Sequence, residues 1–103
     1  MKKIRIKARK KDEIIEVKSL FNHIMETGRR IDKSTGALIP AHYITEVAAH
    51  HNNELVLEAY FGPGVSKNPY MEFKIIGGAS GDTVSLSYVD NLGETGEAST
   101  TIK

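Results

Sequence analysis

Apolar and polar residues alternate with a period of two in short runs along most of this chain. That pattern constrains the fold more than any other feature. Ile4, Ile6 and Ala8 alternate with Arg5, Lys7 and Arg9, and Ile15, Val17, Ser19 and Phe21 alternate with Glu16, Lys18 and Asn22. The same rhythm returns in Leu55, Leu57, Ala59 and Phe61, in Met71, Phe73 and Ile75, and in Val84, Leu86 and Tyr88. Successive side chains of a strand point to opposite faces, so each run predicts a strand with one buried face. Turn residues separate the runs: Asp12-Glu13, Asn52-Asn53, Gly62-Pro63-Gly64, Asn68-Pro69, Gly77-Gly78, Gly81-Asp82, and Asp90-Asn91 with Gly93. Residues 95–102 close the series as a last strand.

Residues 41–51 fit two templates. Ile44, Val47, Ala48 and His51 have helical spacing, and Pro40 suits a first helical turn. On a strand, Tyr43, Thr45, Val47, Ala49 and His51 share a face instead. The β-branched and aromatic residues favour the strand, as does Asn52-Asn53, because Asn tolerates the positive φ of a tight hairpin turn. About seven short strands in a chain of 103 residues predict an all-β fold, an immunoglobulin-like antiparallel β-sandwich, with residues 1–103 as one domain. The cysteine–tryptophan–cysteine core of antibody domains is absent, since the chain has neither Cys nor Trp.

The lack of cysteine also excludes a disulfide framework, a catalytic thiol, a zinc–cysteine site, an iron–sulfur cluster and a covalent carrier thiol on this chain. Charge is uneven. Residues 1–53 carry 11 Lys/Arg against 6 Asp/Glu, and residues 54–103 carry 3 against 7. Half of the basic residues fall among the first eleven positions, namely Lys2, Lys3, Arg5, Lys7, Arg9, Lys10 and Lys11. Their alternation with Ile4, Ile6 and Ala8 reads as the solvated face of a strand. The acidic second half and the lack of interleaved aromatics argue against a nucleic-acid arm. The basic start is not followed by the apolar run of an export signal, and no stretch has the length and apolarity of a membrane helix.

Chemistry-bearing constellations are few. His42 and His50 lie about 26 Å apart on a strand, too far for one metal ion, and His50-His51 point to opposite faces. The four histidines, His23 included, therefore read as surface residues, and no metal site is expected. No serine lies in a nucleophile elbow. Gly77-Gly78-Ala79-Ser80-Gly81 lacks the Gly-Lys-Ser/Thr end of a phosphate loop. Glu54/Glu58 and Glu94/Glu97 read as solvent-facing. The expectation is a protein without catalytic residues or a cofactor. The long polar stretch 23–40, with a tight turn at Lys33-Ser34-Thr35-Gly36, is either functional or mobile. Met, Arg and Tyr are enriched at protein interfaces, which nominates Met25, Arg29, Arg30, Asn68 and Tyr70 as partner-binding residues; Met25 and Tyr70 fit a core-capping role equally well.

Three stretches resemble one family. They are Leu20-Phe21-Asn22-His23-Ile24-Met25-Glu26-Thr27-Gly28-Arg29-Arg30 with Asp32, Gly36 and Leu38-Ile39-Pro40; Gly62 to Phe73; and Tyr88-Val89-Asp90-Asn91-Leu92-Gly93. Together they look like SoxZ, over essentially the whole chain. The resemblance implies an immunoglobulin-like sandwich that pairs with SoxY in bacterial oxidation of thiosulfate and related sulfur compounds. It implies that the sulfur rides on a cysteine near the C-terminus of SoxY, and that the pair meets other Sox enzymes transiently. It further implies a periplasmic location, reached by co-export with a signal-bearing partner, and it carries over no catalytic residue. An isolated subunit with exposed apolar surface is expected to form a homodimer. The alternative from the residues alone is an immunoglobulin-like ligand-binding module.

Overall fold

The structure is a computed structural model that describes residues 3–103; Lys2 of the basic run lies outside the described residues. Seven strands follow in order: β1 (Ile4–Lys11), β2 (Ile14–Phe21), β3 (Ile44–His51), β4 (Glu54–Tyr60), β5 (Tyr70–Ile76), β6 (Thr83–Asp90) and β7 (Thr95–Thr101). All pairings are antiparallel. One sheet has the order β1-β2-β5 and the other β4-β3-β6-β7. This is the expected immunoglobulin-like sandwich, with one distinction. The fourth strand pairs with the third, whereas constant-type immunoglobulin domains place it beside the fifth. That choice leaves β5 at the edge of the three-stranded sheet.

The inward residues are those the alternation nominates. Ile4 and Ala8, Ile15, Val17, Ser19 and Phe21, Ile75, and Val84, Leu86 and Tyr88 are buried. Two clusters result. One is centred on Phe21, Leu86 and Tyr88, the other on Ile15, Val17 and Val84, and Ile6 and Phe73 pack against both. Buried Ser19 donates its hydroxyl to the carbonyl of Met71 at 2.8 Å, so its polarity is satisfied inside the sheet. Arg5, Lys7 and Arg9 project outward from β1, as a solvated face requires.

Two expectations need correction. On β3, Ile44 is buried in place of Tyr43 and Thr45, because the register against β6 shifts between Ile44 and Glu46. A second shift, between Ala49 and His50 against β4, turns Leu55 outward to 48% exposure, although its alternation with Leu57 and Ala59 marks it as core. An extra residue in one strand flips everything beyond it to the other face. The hairpin turn itself is as expected, with Asn52 and Asn53 at φ 49° and 68°. The molecule measures 53 × 22 × 19 Å and has a radius of gyration of 15.7 Å, against about 13 Å for a compact chain of this length.

Candidate functional site

The β2–β3, β4–β5 and β6–β7 connections gather at one end of the sandwich, and hydrogen bonds lace them together. The longest is the excursion between Phe21 and Ile44. It is a folded arm: Glu26 and His42 exchange backbone hydrogen bonds at 2.7 and 3.0 Å, and Ile31 bridges Leu38 further out. Its tip is the expected tight turn. Asp32 accepts hydrogen bonds from the Ser34 amide at 2.9 Å and the Ser34 hydroxyl at 2.7 Å, and the Ser34 contacts hold its carboxyl below the usual range. On the arm's stem Arg30 forks onto Glu26 through Nε at 3.2 Å and Nη2 at 2.6 Å. The hydrogen bond from Arg30 lowers the pKa of Glu26, and the same pair raises that of Arg30.

Asp90 joins the two ends of the arm to the β6–β7 turn. Its Oδ2 lies 3.1 Å from His23 Nε2 and 2.7 Å from His42 Nε2, and its Oδ1 accepts the backbone N–H groups of Leu92 at 3.0 Å and Glu94 at 2.9 Å. The Asp90 side chain is 1% exposed and that of His23 5%. Burial opposes the Asp90 charge, but the hydrogen bonds from His23, His42 and the two backbone donors outweigh it, and the carboxyl titrates below its ordinary value. His42 also approaches Glu94 Oε2 at 3.2 Å, so Glu94 is tied in even though its side chain is 63% exposed. The rings of His23 and His42 meet edge to face at 4.7 Å, and Tyr88 closes the other side of His23 at 5.7 Å.

His23, His42 and Asp90 place one ligand atom each within 4.8 Å of one another, which is metal-site spacing. The hydrogen bonding of His23 does not suit a metal ion. Its Nδ1 faces the backbone N–H of Met25 at 3.1 Å and must accept it. The ring proton is thereby assigned to Nε2, which donates to Asp90 and has no free lone pair for a cation. As folded, the cluster is a hydrogen-bonded clasp. The expectation that His23 lies on the surface is corrected: it is buried, as Asp90 is. Within its own run, on its own face, the sequence offers His42 only Glu46 and His50 as possible co-ligands. The clasp needs partners 19, 48 and 67 positions apart, and alternation within a run contains no such signal.

The nominated residues divide by role. Met25 is only 5% exposed, and its Sδ lies 3.4 Å from the Ile44 N–H, which it caps. Of the two roles open to it, the structure shows the core-capping one. It is core, and its φ of 50° turns the chain inward. Asn68, at φ 52°, accepts the His23 N–H on its Oδ1 at 3.0 Å and donates its own N–H to the His23 carbonyl at 2.9 Å. It pins the β4–β5 turn to the base of the arm, while Pro69 accepts the Phe21 N–H at 2.8 Å. Arg29, Arg30 and Tyr70 are exposed. Tyr70 donates its hydroxyl to Glu72 at 3.1 Å, and burial together with that carboxylate raises its pKa. This end of the sandwich therefore presents Arg29, Arg30 and Tyr70 on a base braced by Met25, Asn68 and the clasp.

A family model described as sulphur oxidation protein SoxZ matches residues 4–101 of the chain. No curated protein matches it.

Proposed function

Because the chain belongs to the SoxZ family, whose role is in sulfur oxidation, we propose that it is the non-catalytic subunit of a SoxYZ carrier complex. It pairs with SoxY, whose C-terminal cysteine carries the covalent sulfur intermediates, and helps present that cysteine to the other Sox enzymes. The observation that carries this reading, beside the family match, is the complete absence of cysteine. A covalent sulfur adduct needs a thiol, so within a carrier pair the adduct belongs to the other chain. Complex formation also supplies the route to the periplasm, by co-export with a signal-bearing partner.

The geometry supports a presenting role. An arm that visits several enzymes in turn needs a rigid base, since a loose base wastes binding free energy on ordering. The clasp and Asn68 provide such a base at the loop end of the sandwich. The exposed Arg29, Arg30 and Tyr70 provide docking side chains of the types that dominate interfaces.

The test is co-expression with the cysteine-bearing partner, followed by size exclusion and intact mass of both chains. A 1:1 complex with sulfur adducts confined to the partner is expected. Elution of this chain alone at every concentration would overturn the reading.

A further inference from the structure

The free edge of β5 carries a self-complementary pattern. Phe21 donates to Pro69 and Gly77 donates to Glu13, both across the β2–β5 ladder. Hydrogen-bonded pairs alternate along an antiparallel ladder, so Met71, Phe73 and Ile75 direct their backbone groups to β2. The N–H and C=O groups of Tyr70, Glu72, Lys74 and Ile76 therefore face away from β2. β5 is the last strand of its sheet, contains no proline, and pairs with β2 without a register shift. These are the properties of an unguarded edge.

Two other edges, β1 and β4, are less suited to self-pairing. β1 is lined by Arg5, Lys7, Arg9, Lys10 and Lys11, which repel a like strand, and its Lys10 N–H already bonds the Lys103 carbonyl at 2.8 Å. The charged residues of β4, Glu54 and Glu58, are both acidic and offer a copy no opposite charge. On β5 the outward charges are one of each sign, Glu72 and Lys74, flanked by exposed Tyr70 and Ile76 at 59% and 88%.

We propose that β5 is a homodimer contact, in which a second copy of this chain pairs antiparallel about a two-fold axis at Phe73. Three nearby registers keep the outward faces together. An axis at Glu72 sets Glu72 against Glu72, and an axis at Lys74 sets Lys74 against Lys74. The axis at Phe73 alone sets Glu72 against Lys74 twice and Tyr70 against Ile76 twice. It also makes Glu72–Lys74 and Tyr70–Ile76 the hydrogen-bonded pairs, as the free backbone groups require. The pattern continues into β2, where Glu16 pairs with Lys74 and Lys18 with Glu72. The joined sheet thus carries a row Glu16, Lys74, Glu72 of the second copy and Lys18 of the second copy, with signs alternating throughout. Leu20 beside Tyr70, and Ile14 beside Ile76, extend the apolar rows on either side. The inference stands independently of the carrier reading.

A pairing of two short strands buries less than the roughly 1,200 Å² of a standard interface, so the dimer belongs to the weak class and fills at high protein concentration. Sedimentation equilibrium over a concentration series reaching the millimolar range tests it. Wild type is expected to associate to a dimer and no further. Glu72→Lys alone and Lys74→Glu alone each turn both ion pairs into repulsions, and each should weaken association by about tenfold. Mixing the two variants should restore a heterodimer, and the exchanged variant Glu72→Lys/Lys74→Glu should dimerise as wild type does. Amide exchange at residues 70, 72, 74 and 76 should slow as concentration rises. A wild type that stays monomeric throughout overturns the inference. So does a dimer that neither single variant weakens, or a mixture that fails to recover.

Discussion

Replacing Asp90 with alanine should cost this domain a large part of its stability, and the geometry sets the size. Four donors converge on the carboxylate: His23 Nε2, His42 Nε2 and the backbone N–H groups of Leu92 and Glu94. The last three reach water once the acceptor is gone, and each loses a net hydrogen bond of about 0.5–1.5 kcal/mol. His23 does not, because its side chain is 5% exposed and sits between Tyr88 and His42. An orphaned buried donor costs about 1–3 kcal/mol. The total is about 2.5–7.5 kcal/mol, against about 5–15 kcal/mol for a whole domain. For this chain length each kcal/mol lost lowers Tm by about 4–8 °C. Urea denaturation with a constant m-value measures it directly. Asp90→Asn should also be costly, since whichever way the amide turns its nitrogen faces either two imidazole N–H groups or two backbone N–H groups. The cost also has a pH signature. The folded pKa of Asp90 lies below its unfolded value. Its contribution is therefore present above about pH 4 and is lost as pH falls through the folded value. Wild type and Asp90→Asn should converge in acid. If Asp90→Ala came within about 0.5 kcal/mol of wild type at neutral pH, the clasp would not be holding the loop end together.

Three further outcomes follow from the same structure. Gly96→Ala places a Cβ 2.5 Å from Tyr88 Cε2 and 3.0 Å from Lys3 Cδ, so it should destabilise by about 1–3 kcal/mol; in a Tyr88→Leu background a smaller cost, read from the double-mutant cycle, would trace the clash to that ring. Asn68→Ala should lose about 1–2 kcal/mol, because it gives up both the His23 hydrogen bond and tolerance for positive φ, whereas Asn68→Gly should lose less; equal urea midpoints would remove the φ contribution. Combined Arg29→Ala, Arg30→Ala and Tyr70→Ala should leave Tm within a few degrees of wild type and weaken the cysteine-bearing partner about tenfold by titration calorimetry, and unchanged affinity would move the docking surface elsewhere.

The chain's own pattern determines its strands. Five runs of alternating residues, together with 41–51 and 95–102, became the seven strands, because burying one face of a pleated strand is a local rule readable within eight residues. The turns were legible for the same reason, as at Asn52-Asn53, where only a few side chains accept positive φ. The absence of cysteine excluded a disulfide and any thiol chemistry on this chain's own side chains. Three other features were decided only by the tertiary structure. The register shifts on β3 put Ile44 inside and Leu55 outside, since a bulge depends on the partner strands and not on the run that contains it. His23, His42 and Asp90 met because the sandwich brings three connections to one end, and no spacing rule joins residues so far apart along the chain. β5 became an open edge because β4 paired with β3. That decision between sheets rests on the packing of the whole core, and alternation alone says nothing about it.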